Sequence, residues 1–282
     1  MRMQEDAVLG CKLSKSLSFS QDEELYIATS DTKIKMEEDY APFVDKILNN
    51  ISYIPKNILD LGCGPGYIAR RMSEVLPNSY VFGVDKSVTM INHANKIFNK
   101  KLKNNYVFHS EFEVDSKSIR MFRNEPDYLN YYELRLKYMI ADSVSLPFGN
   151  FKFDLIILKG TFKCLEDKLN SLKEMYRVLN HGGEIFIYEF RKDIPEDEFI
   201  MLTKQMNPQK IKSLRRKLNC SLDMGEYRKY LLESGLSRFS DIDTDGLDLK
   251  IRIKRGQILN LSPINKEEDG NEHYGRFFRR NR

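Results

Sequence analysis

The run Ile58–Arg70, Ile-Leu-Asp-Leu-Gly-Cys-Gly-Pro-Gly-Tyr-Ile-Ala-Arg, constrains the fold of this chain more than any other stretch. An apolar strand enters a glycine-rich turn, and the turn opens a helix. Glycine has no Cβ, so such a turn lets a ligand come close to the backbone. The first turn of the following helix offers unpaired N–H groups. Asp60, two residues ahead of the first glycine, puts a carboxylate at the strand end and suits a ligand with positive charge.

Spacing narrows the ligand. The dinucleotide fingerprint G-x-G-x-x-G needs its third glycine where this chain has Tyr67. The pattern here is D-x-G-x-G-x-G, through Gly62, Gly64 and Gly66. No Gly-Lys-Ser/Thr ending follows Gly66, which excludes a P-loop, and Asp60 would repel a pyrophosphate. S-adenosylmethionine has no phosphate; it carries an ammonium, a carboxylate and a sulfonium. Asp60 suits the ammonium, directly or through water, and the turn amides suit the rest. A plain strand–turn–helix joint would use glycines in the same way, so residues at later strand ends have to decide.

Asp85 ends the next strand, Tyr80–Val84. A carboxylate there accepts both hydrogen bonds of a ribose diol and rejects a 2′-phosphate. The alternative is an N-cap for the helix Ser87–Asn99. Asp142 ends the strand Lys137–Ala141 and is followed by Ser143. Its carboxylate suits an adenine amino group, and a neighbouring N–H suits a ring nitrogen; the alternative is a capped turn. Met90 fits an apolar wall beside adenine or ribose, and equally a core position.

Asp60-Leu61-Gly62-Cys63-Gly64-Pro65-Gly66 resembles motif I of the class I S-adenosylmethionine-dependent methyltransferases. The closer likeness is to the small-molecule subgroup that includes ubiquinone and menaquinone biosynthesis enzymes. Ala141-Asp142-Ser143…Leu146-Pro147-Phe148 resembles the third cofactor motif, and Phe153–Gly160 resembles motif IV. The resemblance runs from Tyr40 to Arg255 with one interruption. It implies S-adenosylmethionine as cofactor and S-adenosylhomocysteine as product. It carries cofactor contacts onto Asp60, Gly62, Cys63, Gly64 and Gly66 in the turn, and onto Asp85, Lys86 and Met90 after the second strand. Asp142 and Ser143 complete that set; Lys159, where many relatives have other residues, is read from its place at the strand end as facing an acidic substrate group or a methionine carboxylate. Asp154, at the start of its strand, is read as structural.

Around these motifs the apolar pattern alternates strand with helix, which implies a parallel sheet covered on both faces. Tyr40, Phe43, Val44, Ile47, Leu48 and Ile51 repeat at helical spacing over Met36–Ile51, with Pro42 in the first turn. Leu165–Leu179 reads as an amphipathic helix stopped by His181-Gly182-Gly183, and Glu184–Phe190 as the next strand. Asp223 is a candidate cap for a helix ended by Gly235. Leu247, Leu249, Ile251 and Ile253 alternate with Asp248, Lys250 and Arg252, which suits an antiparallel edge strand. The expected fold is therefore α/β, a doubly wound Rossmann-like sheet, mostly parallel with an antiparallel last strand. Residues 1–50 are an N-terminal helical arm or lid, 51–255 the cofactor-binding domain, and 256–282 a polar, basic, flexible tail. Residues 101–136 form an insertion before the third strand, rich in tyrosine and phenylalanine; it either packs as a small subdomain or caps the substrate.

Composition bounds the rest. A chain of 282 residues with 41% hydrophobic content can bury a core, and its net charge of +4 is only mildly basic. Acidic runs interrupt the basic ones, so no nucleic-acid stripe is legible. Cys11, Cys63, Cys164 and Cys220 are far apart, which argues against a zinc site or a disulfide framework. No metal is expected. Met1–Asp6 has no apolar signal core and no segment is long and apolar enough to span a membrane, so the expected compartment is the cytoplasm.

Methyl transfer from a sulfonium asks mainly for alignment. Where the acceptor must lose a proton, Glu189, His109 and Tyr40 are the candidates; Tyr40 and Tyr26 would also close over the cofactor. No Asn-Pro-Pro-Tyr and no Pro-Cys follows the fourth strand, so neither amino methylation of the style using the first motif nor a covalent cytosine mechanism has its residues. The expected activity is methyl transfer to an O, N or C nucleophile of a small molecule or modified peptide. An RNA or protein methyltransferase, suggested by arginines in His273–Arg282, and a non-catalytic binding protein are the alternatives.

Overall fold

The computed structural model describes residues 36–108 and 135–256, together with Ile27; expectations that fall on Tyr26, His109, residues 110–134 and the tail from 257 lie outside them. A π-helical turn, Met36–Tyr40, leads into α1, Ala41–Asn49, whose second residue is Pro42. Proline is tolerated there because the first turn has no intrahelical partner for its missing N–H. Strand β1 (Asn57–Leu61), α2 (Tyr67–Val75), β2 (Tyr80–Asp85), α3 (Val88–Phe108), β3 (Leu136–Ile140) and β4 (Phe153–Lys159) follow. A 3₁₀ turn, Phe162–Cys164, precedes α4 (Lys168–Val178) and β5 (Leu179–Phe190). The chain closes with α5 (Glu196–Thr203), α6 (Pro208–Asn219), α7 (Met224–Glu233), β6 (Ser240–Asp245) and β7 (Asp248–Lys254).

The seven strands lie in the order β3-β2-β1-β4-β5-β7-β6. Strands β1 to β5 pair in parallel, and β7 is antiparallel to both β5 and β6. The expected fold class is therefore the observed one. Residue parity divides the core. Leu59, Ile156, Leu158, Ile185 and Ile187 pack with Leu172 and Met175 of α4 and Tyr227 and Leu231 of α7. Ile58, Leu155, Ile157, Phe186 and Tyr188 pack on the other face against Phe43 and Ile47 of α1 and Tyr67 and Met72 of α2. Each such side chain, fully buried, contributes about 1.5–3 kcal/mol.

Three expectations are corrected. The stop for α4 is not His181-Gly182-Gly183: the helix ends at Val178, because Leu179 is already extended and pairs with Phe153. The glycines lie inside β5, where the register shifts between Phe153 and Leu155 and Gly182 takes φ +78°. Second, β7 is not the edge. It sits between β5 and β6, with Leu249, Ile251 and Ile253 buried, and β6 is the rim. Third, α3 does not end at Asn99 but runs on to Phe108, through residues 101–108 of the expected insertion. The cap of α3 is Ser87, whose Oγ accepts from Met90 N at 3.1 Å, so the alternative of Asp85 as the helix cap does not hold. The expected cap of α7 holds: Asp223 and Glu226 form a reciprocal capping box.

Asp154 is structural, as expected. Its Oδ2 accepts from Lys56 N and Asn57 N at 2.8 and 2.9 Å, and its Oδ1 from Asn180 Nδ2 at 3.0 Å. Arg135, just ahead of β3, donates to the carbonyls of Leu76 and Pro77 at the far end of α2. Arg135 therefore stands at the edge of the sheet opposite the glycine turn.

Candidate cofactor site

The three glycines of the turn have positive φ for three different reasons. Gly62 (φ +70°) faces Thr161 so closely that a Cβ would lie 2.1 Å from its Cγ2, and Thr161 Oγ1 donates to Gly62 O at 3.2 Å. Gly66 (φ +80°) faces Tyr138: a Cβ would lie 2.4 Å from its ring, and the Tyr138 hydroxyl donates to Gly66 O at 2.8 Å. At Gly64 (φ +52°) a Cβ would meet no described atom within 4 Å. Two glycines thus dock the turn on β3 and on the segment after β4, and the third presents bare backbone to open space. Glycine is the residue that reaches these conformations without a Cβ penalty.

Three carboxylates stand at successive strand ends. Asp60 lies under the turn, 1% exposed, and its Oδ2 accepts from Ala69 N in the first turn of α2 at 3.0 Å. Burial pushes its pKa up to about 7, against the Ala69 hydrogen bond; the Asp85 charge pushes the same way as burial. Asp85 is half-buried and braces the turn: Oδ2 accepts from Gly64 N at 2.8 Å and Oδ1 from Ser87 N at 2.9 Å. A carboxylate has lone pairs left for a diol after two such bonds. Asp142 keeps 44% of its side chain exposed; its Oδ1 accepts from Val144 N at 3.2 Å and its Oδ2 lies 3.5 Å from Lys86 Nζ. Lys86 also reaches Glu166 Oε1 at 2.9 Å, which, ahead of Asp142, holds its pKa above the ordinary lysine value.

The other expected contacts are placed less directly. Ser143 turns its hydroxyl inward, 2.7 Å from Ser171 Oγ of α4. Met90 is half-buried in the first turn of α3. Cys63 is buried, with its Sγ 3.6 Å from Gly64 O, and burial holds its thiol well above the usual range, so it is no nucleophile. Lys159 stands at the end of β4 with Nζ 4.0 Å from the Phe43 ring centre and 5.8 Å from that of Tyr40. Tyr40 is buried beside Tyr67, ring centres 5.0 Å apart. The next residue, Gly160 (φ +68°), faces open space among the described residues, as Gly64 does.

Glu189 is on the other side of the sheet. Strand parity puts it with Ile185 and Ile187 on the α4 and α7 face, whereas Lys159 and Tyr188 share the α1 and α2 face. Its carboxylate side chain is 1% exposed and pairs with Lys163 Nζ at 3.2 Å. Burial raises its pKa, with Lys163 opposing. Lys159 and Glu189 therefore do not line one acceptor pocket.

Some residues that hold the site escaped the motifs. Tyr138 is opposite Gly83 in the β2–β3 register, and a Cβ on Gly83 would sit 2.6 Å from the Tyr138 ring. A glycine inside an apolar strand was the available signal. Glu174 and Arg177 of α4 hold the segment after Asp142: Glu174 Oε1 accepts from Leu146 N at 2.8 Å, and Arg177 Nη1 donates to Phe148 O at 2.9 Å. Among the described residues no cluster of His, Cys, Asp or Glu could hold a metal.

Bare backbone at Gly64, flanked by the Asp85 and Asp142 carboxylates at one sheet edge, fits an adenosyl group with no phosphate. Residues 55–235 match a family described as a methyltransferase domain. The chain belongs to the class I S-adenosylmethionine-dependent methyltransferases. S-adenosylmethionine is the family's cofactor. Among curated relatives, demethylmenaquinone methyltransferase of Thermus thermophilus is 26% identical over 136 residues, 48% of each chain. The ubiquinone/menaquinone biosynthesis C-methyltransferase of an Enterobacter species is 33% identical over 130 residues, 46% of this chain and 48% of the relative. The match thus spans about half the length of these relatives. Two solved structures share the fold. A methyltransferase from Aquifex aeolicus superposes with a TM-score of 0.52 at 16% identity, covering 80% of this chain and 95% of that one. The plantazolicin methyltransferase BpumL, solved with a monoazolic desmethylPZN analogue and SAH, gives 0.57 at 15%, covering 91% and 100%.

Proposed function

We propose that this methyltransferase moves the methyl group of S-adenosylmethionine to an O, N or C nucleophile of a small molecule. The observation that carries this reading is the ordered set of open Gly64, Asp85 and Asp142 along one sheet edge. The quinone-biosynthesis relatives support a small acceptor, and a modified peptide is the nearest variation.

Asp85 accepts the ribose hydroxyls while keeping the turn closed through Gly64 N, and Asp142 accepts the adenine amino group. Pairing Asp142 with adenine displaces Lys86 toward Glu166, its shorter partner. Gly62, Cys63 and Gly66 set the curvature of the turn. Asp60 acts from beneath it, through Ala69 and through its charge. Lys159 takes the methionine carboxylate or an acidic acceptor group, with Met90 an apolar wall. When bound, the sulfonium supplies an electrophilic methyl, so what the protein adds is alignment and exclusion of water. Tyr40 and Phe43 of α1 wall the Lys159 side and assist through packing. Glu189, buried and paired, is not the base in this account.

The test is transfer of labelled methyl from S-adenosylmethionine to a panel of phenols, quinols and amines. Label in an acceptor, reduced at least about tenfold by Asp85→Ala, is expected. Tight cofactor binding with no label in any acceptor class would favour a binding protein instead.

A further inference from the structure

The charge of this chain is concentrated. From Phe199 to Leu222 there are six cations, Lys204, Lys210, Lys212, Arg215, Arg216 and Lys217, and no carboxylate. The whole chain carries +4, so everything outside this segment sums to 4 − 6, or −2. Five of these cations stand on α6, spread around its exposed sides, and Lys204 ends α5. Leu214 and Leu218 are buried against Phe199 of α5, while Lys210, Lys212, Arg216 and Lys217 are exposed. Arg215 is set apart: it stacks 4.1 Å from the centre of the Phe199 ring and donates through Nη1 to Glu196 Oε2 at 2.9 Å. Lys204, Lys210, Lys212 and Arg216 have no ion pair among the described residues. Helix α5 turns Ile200 and Met201 to solvent, 58% and 67% exposed, each one turn on from an exposed carboxylate, Glu196 and Asp197.

We infer that the α5–α6 surface docks on an anionic lipid bilayer, basic side chains to the headgroups and Ile200 and Met201 into the acyl boundary. A cluster of four to eight cations on an amphipathic helix is the charge pattern that anionic membranes attract, at about 1 kcal/mol per side chain near the surface. Exposed aliphatic side chains beside it supply the apolar part of interfacial binding. A single-stranded nucleic acid would also answer the charge, but it is held by exposed aromatic platforms, and the one aromatic residue of the segment, Phe199, is 2% exposed. Helices α5 and α6 follow directly from the end of β5, the sheet edge that carries Gly160 and Gly64. The surface stands on charge and exposure alone and does not depend on which acceptor is methylated.

The experiment is co-sedimentation of the full chain with vesicles of phosphatidylcholine alone and of phosphatidylcholine mixed with phosphatidylglycerol. Binding to the mixed vesicles, weakened by added salt, is expected. Combined Lys210→Gln, Lys212→Gln and Arg216→Gln should weaken partitioning about a hundredfold. The same variant should leave the thermal unfolding midpoint and the calorimetric affinity for S-adenosylmethionine unchanged, which shows that the fold is intact. Met201→Ser should weaken partitioning without changing its salt dependence. Equal partitioning onto both vesicle types, or a triple variant that binds like the parent, overturns the inference. So does binding to a single-stranded oligonucleotide with none to the mixed vesicles.

Discussion

Asp60 is the residue where the site and the stability of the fold meet. Its carboxyl is buried under the glycine turn and its pKa is pushed up to about 7, well above the ordinary aspartate value. Between those two values the folded chain binds more protons at this position than the unfolded chain. The stability contributed by this group is therefore fully present below the ordinary aspartate pKa and is lost as pH rises through about 7. Asp60→Asn keeps an acceptor for Ala69 N and removes the titration. Its unfolding free energy relative to the parent should rise by up to about 3 kcal/mol from about pH 5 to about pH 8, by denaturant melts at each pH. The glycines separate stability from binding. Gly66→Ala puts a Cβ into the Tyr138 ring and should lower stability by about 2–4 kcal/mol. Gly64→Ala meets open space, so it should cost only about 1 kcal/mol of backbone strain while weakening cofactor affinity more than tenfold in calorimetry. The glycine pattern was legible in the sequence because its spacing is local, and Asp85 and Asp142 because each directly follows or ends an apolar strand. Tyr138 was not, since its hydrogen bond reaches from β3 to the glycine turn, 72 residues away, and only the sheet register brings them together.

The elements around the site differ from their sequence reading where pairing overrides local pattern. His181-Gly182-Gly183 looked like a helix stop, but β4 needs Leu179 as a partner for Phe153, and the glycines accommodate the register shift inside β5. The alternation of β7 correctly showed one buried and one wet face. It could not show that β6 covers its outer side. Parity also decided the place of Glu189. A period of two puts it on the face away from Lys159, and its charge is held by Lys163 from the 3₁₀ turn after β4. Removing the cation leaves a buried carboxylate without compensation, at a cost of about 3–5 kcal/mol. Lys163→Met should therefore destabilise the chain strongly, and more at about pH 8 than at about pH 5, since burial raises the Glu189 pKa and the charged form is the costly one. Thermal melts at the two pH values measure this. Glu189→Gln should lose far less and keep methyl transfer; a Gln variant that is stable yet inactive would return Glu189 to the role of base.

For the molecule as a whole, one edge of a seven-stranded sheet carries every proposed cofactor contact, and the opposite edge is closed by Asp154 and by Arg135 on the end of α2. The alternation of strands and helices made this architecture legible, because a parallel sheet with crossovers on both faces has few other solutions. The site is preformed enough that ligand should stabilise the fold. S-adenosylmethionine at about a hundred times its dissociation constant should add about 2.7 kcal/mol to the unfolding free energy, visible as a raised melting temperature. The most direct measurement is isothermal titration calorimetry of S-adenosylmethionine into the parent and into Asp85→Ala. The account predicts one site per chain in the parent and an affinity at least about tenfold weaker in the variant, which loses both the ribose acceptor and the brace on Gly64. Absence of binding to the parent, or equal affinity in the two proteins, would contradict it.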